Sequence, residues 1–167
     1  GTNYDNAGKL RLGYSIPDGQ AALRTLIRFD LGSIPRGVHV YSAQMELSVF
    51  SSEPPTDTNQ SMGIRVLTVD AGHNWTQGNA SWNNAAGIGG APSVNGSVPK
   101  QGTAKINMLD LVKYWVNGNP NHGILIIGDE PAGHTRVRNL RKSAVLTVVY
   151  RCDTVPPVAN MSGLNSL

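Results

Sequence analysis

Residues 23–31 alternate with period two. Thr25, Ile27, Phe29 and Leu31 fall on one side, and Arg24, Leu26, Arg28 and Asp30 on the other. Successive side chains of a strand point to opposite faces, so this stretch demands a sheet with one dry face and one charged face. Residues 32–37, with Pro35 and Gly37, then turn the chain. The design recurs. In residues 41–50, Tyr41, Ala43, Met45, Leu47 and Val49 alternate with Ser42, Gln44, Glu46 and Ser48. Residues 62–69 place Ile64, Val66 and Thr68 on one face, and residues 123–127 are a continuous apolar run suited to a central strand. Shorter strands are expected at 9–14 and 103–107, a basic extended segment at 136–142, and a closing strand at 144–151. One segment, 108–117, has helical spacing through Leu109, Val112, Trp115 and Val116, with Gly118 as its stop.

Residues 71–100 show no clear period and read as a long loop that carries Trp75, Trp82 and a glycine cluster at Gly87, Gly89 and Gly90. Because helices do not alternate with strands, the expected fold is all-β. The expected form is a jelly-roll-type β-sandwich with one short helix, spanning residues 1–151. Residues 152–167 contain Pro156-Pro157 and read as a stiff linker or as a strand for donation to a neighbour.

Charged residues make up only 15% of the chain, and the net charge of +3 arises from 14 basic and 11 acidic side chains. That excess is too small to point to nucleic acid, and basic and aromatic residues do not interleave. No apolar run is long enough to span a membrane, and no signal peptide is present, as in a mature secreted chain or a fragment. Cys152 is the single cysteine, which rules out an internal disulfide and leaves either an inert thiol or an intermolecular bridge. Five Asn-x-Ser/Thr sequences, at Asn59, Asn74, Asn79, Asn95 and Asn160, fall in segments read as loops or tail. Coincidence in an Asn- and Ser-rich chain explains them; glycosylation outside the cell is the functional alternative.

Several blocks recur in a characteristic order. They are 2–4 followed by Leu10-Arg11-Leu12-Gly13; Leu26-Ile27-Arg28-Phe29-Asp30-Leu31 with Ile34-Pro35; 42–47; Trp75-Thr76-Gln77-Gly78 with Ser81-Trp82-Asn83-Asn84; 109–115 with Gly118; 122–126; and 146–150. In this order the chain resembles the DNRLRE domain family. These are secreted β-sandwich modules, and their wider group includes carbohydrate-binding modules of alginate-degrading enzymes. The resemblance covers residues 2 to about 150 and implies a non-catalytic binding or architectural role outside the cell or on its surface. Members of that family usually carry one more strand before the first block. A sheet lacking an edge strand leaves unpaired backbone and an apolar slot, which a donated strand fills. Val155, Val158, Met161 and Leu164 would supply the apolar contacts in such an exchange between copies.

A catalytic set is not legible. The histidines, His39, His73, His122 and His134, are scattered through turns, no Gly-x-Ser-x-Gly elbow occurs, and most acids sit where Asp caps a turn. No catalytic cofactor is expected. A structural calcium ion has its best local place at Asn3, Asp5 and Asn6, where an Asx turn is the plainer explanation. Glycan binding would use exposed aromatic faces, with Trp75, Trp82 and Tyr14 as candidates. It would also use guanidinium groups that read carboxylates, with Arg24 and Arg28 on one strand and Arg136 and Arg138 on another. If these strands share a sheet, a basic face suited to an acidic polysaccharide results; pairing with acids across strands is the alternative. The expected partners are a polysaccharide or further copies of the chain.

Overall fold

A computed structural model describes residues 8–70, 75–76 and 89–152. Nine strands and one helix follow in the order β1 (Leu10–Ser15), β2 (Ala21–Ile27), β3 (His39–Glu53), β4 (Ser61–Thr68), β5 (Gly90–Pro99), β6 (Gly102–Asn107), α1 (Leu109–Val116), β7 (Ile124–Ile127), β8 (Arg136–Leu140) and β9 (Val145–Arg151). The protein is all-β with a single short helix among the described residues. Every strand pairing is antiparallel, and the strands follow one hydrogen-bonded path, β5-β4-β7-β2-β1-β8-β3-β6, with β9 also on β3.

Two strands organise this path. β2 bonds β1 through residues 21–23 and β7 through residues 24–27, so it hands the sheet from one half to the other. β3, at 15 residues the longest strand, is shared by three partners. Its residues 44–49 pair with β6, while residues 49–53 pair with β8 and residues 39–46 with β9. β8 and β9 therefore lie end to end along the same side of β3. Arg141 N–H, donating to Ser48 O between them, continues the line.

The curled path closes on one main core. Met45, Leu47, Met62, Ile64, Val66, Val98, Ile106, Ile124, Ile126 and Leu140 are all buried within it. α1 covers this core with Leu111, Val112, Trp115 and Val116. Asn107 Oδ1 accepts from Leu109 N–H at the start of the helix, and Gly118, at φ +102°, takes the left-handed conformation that stops it. β7 is buried on both faces, as its unbroken apolar run requires, with Leu125 on the second face in a smaller cluster with Val69, Leu26, Ile127 and Trp75. At Gly13 in β1 the backbone has φ +117°, and a Cβ there would lie 2.0 Å from Arg136 O. Only glycine admits that approach.

Three expectations need correction. β2 ends at Ile27, so residues 28–31, read as part of the first long strand, lie beyond it. Residues 90–99 are a strand, not part of a loop. β5 pairs with β4 from Ser61↔Pro99 to Thr68↔Gly90, and it turns Val94 and Val98 to the core while Ser93, Asn95 and Ser97 face solvent. Tyr41 is not on the core face of β3: it is 53% exposed. The pairing with β9 skips from Val40↔Tyr150 to Ser42↔Val149, so Tyr41 is the extra residue of a β-bulge. The bulge reconciles a buried Val40 with a buried Ala43, three positions on, and turns Tyr41 outward.

Candidate functional site

The basic face expected from the strand arginines does not form, because three of the four guanidiniums are held by acids and the fourth, on Arg28, lies beyond the end of β2. Arg24 on β2 makes a two-pronged contact with Glu130, Nε to Oε1 at 2.8 Å and Nη2 to Oε2 at 2.9 Å. Arg136 pairs with Asp129 and donates to Ser61 O, with Asp57 at 3.7 Å. Arg28 is exposed, and its guanidinium carbon stands 5.9 Å over the Trp75 ring.

Arg138 departs furthest from a glycan contact, since it is fully buried. In register it lies opposite Leu12 of β1 and Ser52 of β3, a leucine and a serine that are both buried. Its Nη1 donates to Asp57 Oδ2 at 2.9 Å and its Nη2 to Asn59 O at 3.0 Å. A buried cation requires a partner of this kind. Lys100 Nζ donates to the carbonyls of Pro55 and Asp57, so two cations bind the loop of residues 54–60 to the sheet. Burial pushes the Asp57 carboxyl up in pKa, but the Asn59 N–H and the Arg138 guanidinium outweigh it and hold the group at about 2. A second polar group joins Arg11 to Asp18 and Glu53, and Asn139 to Ser51 and Glu53. These networks fix loops; none presents a free guanidinium to a ligand.

Of the described aromatic candidates, Trp75 is tied into the fold. Trp75 is half-buried and donates Nε1–H to His122 O at 2.8 Å. Its ring lies against Gly123, which has φ +97° and where a Cβ would meet Cζ2 at 2.9 Å. Tyr14 is half-buried on β1, in register with Ala22 and Arg136. Trp82 lies outside the described residues, as do Asn3, Asp5 and Asn6, the calcium candidates. Among the described residues no group of three or more His, Cys, Asp or Glu is placed to hold a metal. Asn59 and Asn95 are both exposed, but Asn95 stands on β5 opposite Arg65, not in a loop, and Asn59 Nδ2 donates to Asp57 Oδ1. Asn74, Asn79 and Asn160 lie outside the described residues, and so do Val155, Val158, Met161 and Leu164. Cys152 is free and exposed. No described helix is long and apolar enough to cross a membrane.

Sequence reasoning did not anticipate an open groove of about 640 Å³ on the solvent face of β9, β3 and β6. Pairing register builds it row by row. Gln44 stands between Thr147 of β9 and Asn107 of β6, and Glu46 stands between Val145 and Lys105. Ser42, opposite Val149, and Tyr41 at the bulge extend one end. The backbone under these residues is held by the core positions between them, Ala43, Met45 and Leu47, at 3%, 0% and 1% exposure. Gln44 Nε2 donates to Glu46 Oε1 at 3.3 Å, and Lys105 Nζ lies 3.6 Å from the same oxygen. The Tyr41 ring meets that of His39 edge-on, with centroids 4.6 Å apart. The sequence held one signal of this face, the polar partners Ser42, Gln44 and Glu46 on β3. Its aromatic member was hidden by the bulge. No protein-family model, curated protein or solved structure matches the chain.

Proposed function

We propose that the protein is a non-catalytic extracellular module that binds polysaccharide or attaches its parent protein to a glycan-bearing surface. The observation that supports this reading is the groove across β9, β3 and β6. It is open, lies on paired strands, and is lined by amide, hydroxyl and aromatic side chains. Sugars combine hydroxyl groups with apolar C–H faces, so a receptor needs hydrogen-bonding groups beside an exposed ring, both fixed before binding. The resemblance to DNRLRE modules points the same way. Affinity electrophoresis through gels containing a panel of polysaccharides tests the proposal. Retarded migration on at least one polymer is the expected result, and unretarded migration on all of them would refute it.

A second reading, a structural subunit of an extracellular filament or surface layer, draws on the unpaired edge of β9, whose Val145 and Val149 side chains share the groove's solvent face. Among the described residues β9 pairs with β3 alone, and Val145, Val149 and Tyr150 on it are 54%, 52% and 37% exposed. An open apolar edge of this kind accepts a further strand. In this reading the strand comes from residues 153–167 of a neighbouring copy. Electron microscopy of native material showing filaments would favour it. A clean monomer in size-exclusion chromatography, unchanged on deletion of 153–167, would remove it.

A further inference from the structure

We propose that the groove over β9, β3 and β6 takes a neutral polysaccharide, with Tyr41 as its stacking surface and Gln44, Asn107 and Thr147 as its hydrogen-bonding row. This inference rests on the polysaccharide-binding reading above and narrows it to one site and one ligand class.

The charge at the groove decides the class. Of the described side chains that line it, only Glu46 and Lys105 are charged, and they lie 3.6 Å apart. An acidic chain needs unmatched cations along its path, and it also meets repulsion from an uncompensated carboxylate. Here the one cation is matched by the one anion. Of the arginines that would read uronate carboxylates, Arg24 is held by Glu130, Arg136 by Asp129 and Arg138 inside the fold by Asp57, while Arg28 stands over Trp75 and is not among the groove-lining residues. A neutral chain meets no such conflict and needs only donors and acceptors.

The placement of those donors and acceptors suits an extended ligand. Thr147, Gln44 and Asn107 form one row across three adjacent strands, one side chain per strand. Neighbouring strands lie about 4.8 Å apart, so a ligand lying across the strands meets a polar group at each step of that length. Gln44 is oriented by its bond to Glu46, which leaves its carbonyl oxygen pointing away as an acceptor. Tyr41 stands at the end of the groove, exposed by the bulge and braced at its edge by His39. A bulge costs ladder pairing, and what it yields here is an aromatic ring presented to solvent beside the polar row.

The test uses the full chain in gels containing galactomannan or mixed-linkage β-glucan as neutral polymers, and alginate or polygalacturonate as acidic ones, at low and high salt. The expected result is retardation on a neutral polymer that is unchanged by salt. Tyr41→Ala should weaken it on the order of tenfold, while Tyr41→Phe keeps it. Gln44→Ala should weaken it as well. Melting curves that match wild type show that the variants fold. Retardation confined to the acidic polymers, or abolished by salt, overturns the neutral class. Retardation on a neutral polymer that both Tyr41→Ala and Gln44→Ala leave intact overturns the site while the polysaccharide reading stands. No retardation on any polymer overturns both.

Discussion

Replacing Asp57 by alanine is expected to be among the most damaging single changes a surface loop of this protein can suffer. The reason lies in Arg138, which is fully buried and has Asp57 as its ion-pair partner at 2.9 Å, with the Asp57 side chain itself only 7% exposed. Without that carboxylate the guanidinium keeps two backbone carbonyls, those of Asn59 and Val137, and no counter-ion among the described residues. Removing one member of a buried pair costs about 3–5 kcal/mol, because an uncompensated charge is left behind. The titration of Asp57 gives a lower figure. A carboxyl held at about 2 instead of 3.8 contributes roughly 2 kcal/mol at most, and nearer 1 kcal/mol once water screens the loop. The two differ because protonation measures only the carboxylate, whereas truncation also strands the arginine. Urea unfolding followed by tryptophan fluorescence at pH 7 measures the loss directly, and the melting temperature should fall on the order of 10 °C. The companion variant Arg138→Met in the Asp57→Ala background should recover most of that loss, since the buried charge is then gone. A loss below about 1 kcal/mol for Asp57→Ala, or a double variant as unstable as the single, would refute the reasoning.

Acid should act on the same pair. The folded pKa of Asp57 is depressed, so its stabilisation is complete above about 3.8 and disappears as pH falls towards 2. Asp18, lowered chiefly by the Ser15 hydroxyl against its own burial and further by Arg11, adds in the same direction. Melting temperature against pH should therefore drop across that window, and less steeply in Asp57→Ala. Gly13→Ala places a methyl 2.0 Å from Arg136 O at a positive φ and should cost about 3 kcal/mol or more, read by the urea midpoint. Trp115→Ala, on α1 at 6% exposure, should cost about 3–5 kcal/mol in the same assay. If copies assemble through the open edge of β9, Val149→Lys, at a site 52% exposed, should abolish any filaments seen by electron microscopy and leave the monomer folded.

The parts of the fold that were legible in the sequence are those where burial is one-sided and regular. Ile64 and Val66 on β4 and Val112, Trp115 and Val116 on α1 are buried with the periods of a strand and a helix. β5 was not legible, because only Val94 and Val98 mark its core face, with Gly90, Pro92 and Gly96 at the other inward positions, while Ser93, Asn95 and Ser97 face solvent. Tyr41 was misplaced because a bulge shifts phase by one residue, and nothing in residues 39–43 marks where the shift falls. Arg138 was read as a surface cation because nothing local neutralises it; its counter-ion, Asp57, is 81 residues earlier in the chain. The groove depends on the register of three strands, a relation that alternation within one strand does not contain.

The division of β2 between β1 and β7 bears on how the molecule comes apart. Seven consecutive residues are the seam through which both halves of the sheet stay joined. Peeling that strand away severs both ladders together, so neither half can melt while the other survives intact. The two halves should behave as a single cooperative unit. Amide protons of β1 and β7 should then exchange with solvent at matching opening free energies, although these strands make no ladder with each other.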